Sequence, residues 1–251
     1  MIRLLLAFSL FSGSLLAADK LTVESGPNQL SVVELYTSEG CSSCPPADQW
    51  LEALIQIPED QEKVLALAFH VDYWDYIGWK DRFASPENTN RQRLLGANNQ
   101  QRSIYTPEFF VDGKEIRGTG NVISSIQQRN KNLSPVKLIL SVSKLDNHLN
   151  IELQTESSHD ASNSLHHRYI VYENKLSSEV KRGENSGKLL THQQVVRYMS
   201  PAIRMKDFDQ YRIKINSDWQ LQNIGIAALV TTAGSDSYIQ AVHTPIASLI
   251  Q

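Results

Sequence analysis

Residues 31–57 read SVVELYTSEGCSSCPPADQWLEALIQI. The opening part of this segment, Ser31–Thr37, is rich in β-branched and aromatic side chains, which predicts a buried strand. Two prolines begin the part after the cysteines, and apolar residues at helical spacing predict a helix over residues 47–57. Cys41 and Cys44 therefore form a Cys-x-x-Cys pair between a strand and the start of a helix.

The sequence patterns on the C-terminal side of this segment change near residue 135. Before that point, the sequence predicts an apolar strand over 64–71, a polar helix over 85–102, a hairpin over 108–117 and a helix over 121–131. After it, short apolar stretches alternate with polar turns, which favours an antiparallel β-sandwich. We therefore expect an α/β N-terminal domain over residues 30–132, followed by an all-β, sandwich-like C-terminal domain over residues 136–251.

The overall composition is that of a folded soluble protein. The chain has 251 residues, of which 41% are apolar and 20% are charged. Its formal net charge is −3, so it has no global basic surface that would bind a phosphate backbone. Nucleic acid is therefore not an expected partner.

The N-terminal residues 1–18 have the pattern of a secretory signal peptide. They contain one positive charge, then an apolar run of about 13 residues, and small residues at the end. This run is shorter than the roughly 20 apolar residues that a transmembrane helix needs. The sequence therefore predicts a periplasmic or secreted protein without a membrane span after cleavage.

The position of the cysteine pair predicts redox chemistry. A helix N-terminus offers free backbone N–H groups and a partial positive charge, which can lower a thiol pKa from ~8.5 to about 3.5–7.5. Cys41 would then be an ionised, reachable nucleophile that attacks a substrate disulfide, and Cys44 would resolve the mixed disulfide. The expected substrates are protein or small-molecule thiols and disulfides, and the expected reaction needs no cofactor.

Three other interpretations of the pair remain open. The cysteines could form an inert disulfide that staples a loop. They could belong to a zinc site, although two thiols alone do not complete a four-ligand cage. They could also bind Cu(I) together with His70, because soft thiolate ligands suit that ion. In that last case the protein would be a copper-binding protein or metallochaperone.

A second feature supports redox chemistry. Thr106 and Pro107 stand immediately before the apolar residues 108–111, where an X-Pro bond can be cis. A cis bond here would expose the backbone of Thr106, so that a substrate chain could pair with it beside the disulfide. We therefore include Thr106 among the substrate-binding residues and Pro107 among the catalytic ones.

Several motifs resemble the DUF1223 family of exported bacterial proteins and, more broadly, the thioredoxin-like superfamily. The residues that carry the resemblance are 33–48, 70–81, 105–107 and 111–113, with a looser similarity at 182–187 and His192. The resemblance implies a thioredoxin-like N-terminal domain with a cis proline at Pro107. The family's function is not known, so the resemblance implies a fold and a site but no substrate.

The sequence departs from ordinary thioredoxins around the cysteines. Ser42 and Ser43 stand between them, and Gly40 takes the place of an aromatic residue. We therefore expect the apolar collar for substrates to be rebuilt from a nearby aromatic segment, which contains Tyr73, Trp74, Tyr76 and Trp79.

Charged residues near the pair give two further expectations. Glu34 lies in the strand before the cysteines, where an apolar environment would raise its pKa and suit it to general acid–base catalysis. The alternative is a carboxylate on the solvent face of an edge strand. Arg91, Arg93 and Arg102 belong to the polar helical region and are expected to form a solvated face.

Overall fold

The computed structural model describes residues 19–58, 63–157 and 164–250, so the predicted signal peptide lies outside the described residues. The elements in these segments are β1 Lys20–Glu24, β2 Ser31–Thr37, α1 Pro45–Ile55, β3 Val64–His70, α2 Pro86–Asn98, β4 Glu108–Val111, β5 Lys114–Ile116, α3 Thr119–Arg129, β6 Val136–Leu145, β7 His148–Ser157, β8 Leu165–Glu173, β9 Leu176–Glu179, β10 Leu189–His192, β11 Val195–Met199, β12 Ile203–Arg204, β13 Phe208–Lys214, β14 Ile224–Thr232 and β15 Tyr238–Pro245.

Strands from both halves of the chain form one mixed sheet. Its strand order is β15-β14-β8-β11-β3-β2-β4-β5, with β12 paired to β8. Strand β3 is parallel to β2 on one side and to β11 on the other, where Val195 pairs with Ala68. The remaining neighbours are antiparallel.

The predicted fold class, an α/β thioredoxin-like domain followed by an all-β domain, is therefore wrong. The described residues contain more strand than helix, with three α-helices, and the sheet that contains β2 and β3 continues into strands of the second half. The physical reason lies at the free edge of β3, whose backbone N–H and C=O groups need partners when buried. Strand β11 and the residue before it supply these partners. The N–H of Ala68 in β3 donates to the carbonyl of Gln194 at 2.9 Å.

A smaller sheet of order β1-β6-β7-β13 packs on the large one. The core between them is built from alternate residues of β6 and β7, such as Leu138, Leu140 and Ile151, and from residues of β8, β14 and β15, such as Val171 and Ile226. This packing of two sheets agrees with the sandwich-like part of the expectation. Strand β1 precedes residue 30 yet pairs with β6, so the N-terminal strand belongs to this layer. The division at residues 30–132 and 136–251 stays a prediction.

The helices cover one face of the strands that lead to the cysteines. Val33 and Leu35 of β2 point to α1 and α3, where they pack with Leu51 and Ile126. The alternate residues of β2 point to the opposite face, as the two-residue period of a strand requires. The predicted helices and hairpin are observed with boundaries shifted by a few residues, and Ser85 caps α2 by accepting a hydrogen bond from the N–H of Asn88 at 3.2 Å.

The large sheet curls until β15 approaches β2, and a buried ion pair joins them to α2. Arg91 donates to both carboxylate oxygens of Glu34, at 2.7 and 2.8 Å, and also contacts the hydroxyl of Tyr238. Tyr36 and Tyr238 each donate to the same carboxylate at 2.8 Å. The expected solvated face is therefore wrong for Arg91, although Arg93 and Arg102 are exposed.

None of the helices in the described part of the chain is long and apolar enough to cross a membrane.

The Glu34–Arg91 pair gives a prediction about stability. We expect Glu34→Gln to lower the free energy of unfolding by about 3 kcal/mol, the low end for a broken buried pair, because the buried Arg91 would keep only the more distant Asp236, at 3.7 Å, as an ionic partner. Urea denaturation measures this change. Arg93→Gln, which alters an exposed residue of the same helix, is the matched control. Equal stabilities of the two variants would contradict the prediction.

Candidate functional site

Cys41 and Cys44 form a disulfide between β2 and α1. Their Cα atoms lie 5.4 Å apart, and Cys44 is the N-cap residue of the helix. No side chain caps the first turn of α1, and the carbonyl of Cys44 accepts the N–H of Ala47 at 2.8 Å. The pair thus lies at the positive end of the helix dipole, as expected.

The disulfide is covered, and this corrects the expectation that the sulfur of Cys41 is reachable. Cys41 is 1% exposed and Cys44 is 0% exposed, whereas Ser42 and Ser43 between them are exposed. In the oxidised protein, a substrate therefore cannot reach either sulfur without a movement of the residues around them.

One part of the cover comes from the aromatic segment Asp72–Ile77. A Cβ atom placed on Gly40 would lie 3.0 Å from Cβ of Trp74 and 3.3 Å from Cδ1 of Ile77, so these side chains press directly on the backbone next to Cys41. Only a glycine allows this close approach. The indole N–H of Trp74 donates to Oγ1 of Thr106 at 2.7 Å, which ties the segment to the loop before β4.

The predicted substrate-binding residues have different surroundings. The Thr106–Pro107 peptide bond is cis, as expected. Thr106 accepts the hydrogen bond of Trp74, whose side chain lies against Gly40 in residues 38–44, which we call the cysteine loop. Tyr73 packs against the core between β2, β3 and β15. Trp79 donates from its indole to Oε2 of Glu39 at 2.7 Å. Tyr76, which is 82% exposed, is the member of the segment most open to solvent.

The second part of the cover is residues 182–187, which we call the cover loop. Asn185 is fully buried, and its amide donates to the carbonyls of Glu39 and Cys41, both at 2.9 Å. Glu184 accepts the N–H of Ser42 at 3.0 Å. The loop lies between β9 and β10 and thus comes from the second half of the chain. Sequence analysis gave these residues only a looser similarity to the family and did not predict their contacts with the loop that carries the cysteines.

Beneath the loop that carries the cysteines lie two buried histidine–carboxylate pairs. Nδ1 of His70 is 2.6 Å from Oδ2 of Asp81, and Nε2 of His192 is 3.1 Å from Oε1 of Glu39. The two imidazole rings meet edge to face, with their centroids 4.8 Å apart. The same oxygen of Asp81 accepts the N–H of Glu39 at 2.9 Å, so the two pairs are connected.

Asp48 of α1 completes this group. Its charge interacts with both His70 and His192. We call the five residues the acid–histidine cluster; its members are Glu39, Asp48, His70, Asp81 and His192. Sequence analysis placed His70 near the disulfide but did not predict the other four members. The five residues come from five different elements or loops, and their contacts are not local in sequence.

Burial and the charges of neighbouring members shift the pKa values of residues in the acid–histidine cluster. Burial disfavours the charged form of His70, but the attraction of Asp81 outweighs burial and raises the pKa of His70 to about 8. Burial also works to raise the pKa values of Asp81 and Glu39, but contacts with His70 and His192 bring both below their usual values. For Asp48, burial prevails over the two histidines, and its pKa is raised.

Glu34 does not have the environment that the sequence analysis expects. Burial would raise its pKa, but the charge and hydrogen bonds of Arg91 outweigh burial, and the pKa of Glu34 is lowered. Its carboxylate faces Arg91, Tyr36 and Tyr238, on the sheet face opposite to α1. The prediction of a raised pKa for Glu34 is therefore wrong, and so is the solvent-facing alternative. A catalytic role of Glu34 stays a prediction.

A metal site is not formed by the cluster or the cysteines in the observed arrangement. Within residues 19–58, 63–157 and 164–250, no group of three or more His, Cys, Asp or Glu side chains is placed to hold a metal ion. The Cu(I) interpretation with Cys41, Cys44 and His70 would need a rearrangement after reduction and stays a prediction.

Comparison with known proteins gives a family and two similar folds. The family described as "Protein of unknown function (DUF1223)" matches residues 32–231. Protein AGR_C_4864 from Agrobacterium tumefaciens, known from a crystal structure, is 25% identical, with a TM-score of 0.60 over 87% of this chain and 95% of its own. HBP35 of Porphyromonas gingivalis is 16% identical, with a TM-score of 0.69 over 88% of this chain and 76% of its own, a likeness of fold. No curated protein matches the chain.

The His70–Asp81 pair predicts a stability that depends on pH. The pKa of His70 is about 8 in the folded protein, above its ordinary value of 6.5, so its stabilisation is complete below pH 6.5 and is lost as the pH rises through about 8. We expect urea denaturation to show a loss of about 2 kcal/mol across this interval. His70→Gln should remove that loss, whereas His148→Gln, in β7, should keep it. A free energy of unfolding that rises over the same interval would refute the assignment.

The cover loop gives a prediction about access to the disulfide. Asn185→Ala removes two hydrogen bonds to the backbone around Cys41, and each contributes about 0.5–1.5 kcal/mol to the closed state. We expect dithiothreitol to reduce the disulfide of this variant roughly tenfold faster, as followed by thiol alkylation and mass spectrometry. Ser186→Ala is the control, because the Ser186 hydroxyl donates to the carbonyl of Lys181, next to the cover loop, and not to the backbone around Cys41. Equal reduction rates in both variants would show that Asn185 does not control access.

Proposed function

The chain belongs to the DUF1223 family, whose function is unknown, and we propose that it is a thiol–disulfide oxidoreductase that uses the Cys41–Cys44 pair. One observation carries the proposal: the disulfide lies at the N-terminus of α1, and the loop and helix that hold it also carry Glu39 and Asp48 of the acid–histidine cluster. The helix end favours a thiolate, and the cluster offers groups that can exchange protons next to it.

An inert disulfide is the second candidate, and the burial of both cysteines favours it. Two arguments weigh against it. A ring closed between residues three positions apart removes little entropy from the unfolded chain, so the bond is a weak staple. Burying the carboxyl groups of Glu39 and Asp81 and two imidazoles in an inert site also costs free energy, since buried charges must be compensated. We therefore favour a chemical role for the pair.

The proposed exchange proceeds in two displacements. In the reduced protein, the Cys41 thiolate attacks one sulfur of a substrate disulfide, forms a mixed disulfide and releases the other substrate sulfur as a thiolate. The Cys44 thiol then loses its proton and attacks the Cys41 sulfur. This step reforms the Cys41–Cys44 bond and releases the second substrate thiolate. The substrate gains two electrons and the protein dithiol loses two.

The proposal assigns the substrate to the face next to Cys41. Trp74 borders the cysteine loop at Gly40 and donates a hydrogen bond to Thr106, so the two residues would contact a bound protein or small-molecule disulfide. Tyr73 and Trp79 would hold this face in place rather than contact the substrate. Tyr73 packs against the core, and Trp79 donates a hydrogen bond to Glu39.

We place the reaction outside the cytoplasm. The pattern of residues 1–18 supports export, and a periplasmic or extracellular setting lets a protein disulfide persist. The partners would be thiols and disulfides of that compartment. The exchange uses the sulfur atoms of the chain alone and calls for no cofactor.

The two cysteines should differ in their mutant behaviour. With glutathione disulfide as the probe, we expect reduced Cys44→Ser to accumulate a glutathione adduct at Cys41, because the resolving thiol is missing. Reduced Cys41→Ser should form little adduct, because Cys44 is fixed at the N-cap of α1, whereas Cys41 lies in the loop that Asn185 can release. Intact-protein mass spectrometry measures both, and the wild type should return to its internal disulfide.

Two outcomes would reverse the proposal. If both variants form adducts at the same rate, the pair has no distinct nucleophile. If the wild-type disulfide resists reduction by dithiothreitol even when residues 182–187 are released by Asn185→Ala, the inert disulfide is the correct interpretation. One-to-one uptake of Cu(I) that is lost in Cys41→Ser, without exchange, would instead establish the copper-binding alternative.

A further inference from the structure

Asp48 is a half-buried residue of the first turn of α1, four positions after Cys44. Its backbone N–H donates to the carbonyl of Cys44 at 3.1 Å, so the two residues are one helical turn apart. Side chains four positions apart lie on the same face of a helix. Because Cys44 is fully buried, this face points into the protein and towards the acid–histidine cluster.

Two ring nitrogens in the cluster are left open. Within the described residues, Nε2 of His70 and Nδ1 of His192 are buried and have no hydrogen-bond partner. The opposite nitrogen of each ring is held by a carboxylate, Asp81 for His70 and Glu39 for His192. Buried polar atoms nearly always find a partner in folded proteins, so two open nitrogens at one place indicate a capacity that the observed state does not use.

The three carboxyl groups of the cluster are not equivalent. Glu39 and Asp81 each accept a close contact from an imidazole, which keeps them ionised. Burial raises the pKa of Asp48 although both histidines pull the other way. Asp48 is therefore the carboxyl group of the cluster that most readily takes up a proton, and it is the one beside Cys44.

We propose that Asp48 exchanges a proton with the Cys44 thiol and that His192, contributed by the second half of the chain, stabilises Asp48 in its ionised form and shares that proton. This inference rests on the proposed thiol–disulfide exchange and names the residues that serve it. It gives the second half of the chain a chemical part in the reaction, in addition to covering the disulfide.

The proposed step is balanced in atoms and charge. In the mixed disulfide, the Cys44 thiol gives its proton to the Asp48 carboxylate and becomes a thiolate. That thiolate attacks the Cys41 sulfur, the Cys41–Cys44 bond forms, and the substrate leaves as a thiolate. The proton on Asp48 passes to the imidazole of His192 and from there to solvent when the site opens. In the reverse direction, Asp48 returns a proton to Cys44 when the disulfide is broken.

The titratable and charged groups that face Asp48 come from every element packed against it. They are Cys44 on α1, Glu39 in the cysteine loop, His70 at the end of β3, Asp81 after the aromatic segment and His192 at the end of β10. Thr37 at the end of β2 is the neighbouring hydroxyl residue. The histidines favour the ionised form of Asp48 and Asp81 opposes it, so the proton affinity of Asp48 depends on all of them.

The test separates the two displacements with dithiobis(nitrobenzoate), which releases one coloured thiol in each. In reduced wild-type protein, the first release reports attack by Cys41 and the second reports resolution by Cys44. We expect Asp48→Asn to leave the first release unchanged and to slow the second at neutral pH by about 100-fold, the lower end for general acid–base catalysis. The difference should close as the pH passes ~8.5, where a thiol ionises without help.

His192→Gln is the second variant, because glutamine can still donate to Glu39 but cannot take up a proton. It should slow the second release in the same direction, with the same closing of the difference at high pH. Glu52→Gln is the control, since Glu52 lies one further turn along α1 and accepts from Gln193 at 3.2 Å. It should match the wild type in both releases.

The outcomes distinguish this inference from the proposed function. A wild type that gives no second release would refute the exchange itself. A wild type with both releases, together with Asp48→Asn and His192→Gln profiles that run parallel to it at every pH, would leave the exchange intact and overturn the roles of Asp48 and His192. If Asp48→Asn fails to fold, the His192→Gln profile decides the matter in the same way.

Discussion

The parallel pairing of β11 with β3 joins the second half of the chain to the sheet that leads to the cysteine pair. Val195 pairs with Ala68, and the carbonyl of Gln194, the residue before β11, accepts the N–H of Ala68 at 2.9 Å. Three residues before β11, the ring of His192, the last residue of β10, meets the ring of His70, the last residue of β3, with centroids 4.8 Å apart. The connection between β9 and β10, which pair as a hairpin, contains Asn185 and contacts the cysteine loop through it.

The protein buries charge in two places, and the hydrogen bonds of each place indicate different roles. The carboxylate of Glu34 accepts from Arg91, Tyr36 and Tyr238, so every nearby partner is used and the group is fixed in one charge state. The acid–histidine cluster leaves Nε2 of His70 and Nδ1 of His192 open. A buried network that is fully satisfied stiffens a fold, whereas one with open positions can change its protonation. The first arrangement ties β2, α2 and β15 together, and the second lies where sulfur chemistry would need protons.

Covering the disulfide changes how the proposed reaction must be controlled. A thiolate at a helix end is reactive wherever it is exposed, but here Trp74 and Asn185 close the two sides of the loop that carries Cys41. Asn185 holds backbone carbonyls on both sides of Gly40 rather than the sulfur itself, so its release would free the loop without breaking a contact to the reacting atoms. Reactivity would then depend on the position of residues 182–187 as well as on the thiol.

The sequence by itself determined the local elements and the position of the cysteine pair. The strand–Cys-x-x-Cys–helix order, the hairpin and the helix that begins at Ser85 and Pro86 follow from residue types and short-range spacing, and the cis bond before Pro107 follows from the family resemblance; all are observed. Only the tertiary structure decided the fold class, the burial of Cys41, the lowered pKa of Glu34 and the roles of Asn185 and His192. Each of these depends on partners more than 50 residues away in sequence, such as Arg91 for Glu34 at a separation of 57 and His192 for Glu39 at 153. Hydrophobic periodicity records which face of a strand is buried, but it carries no information about which distant strand or charge will cover that face.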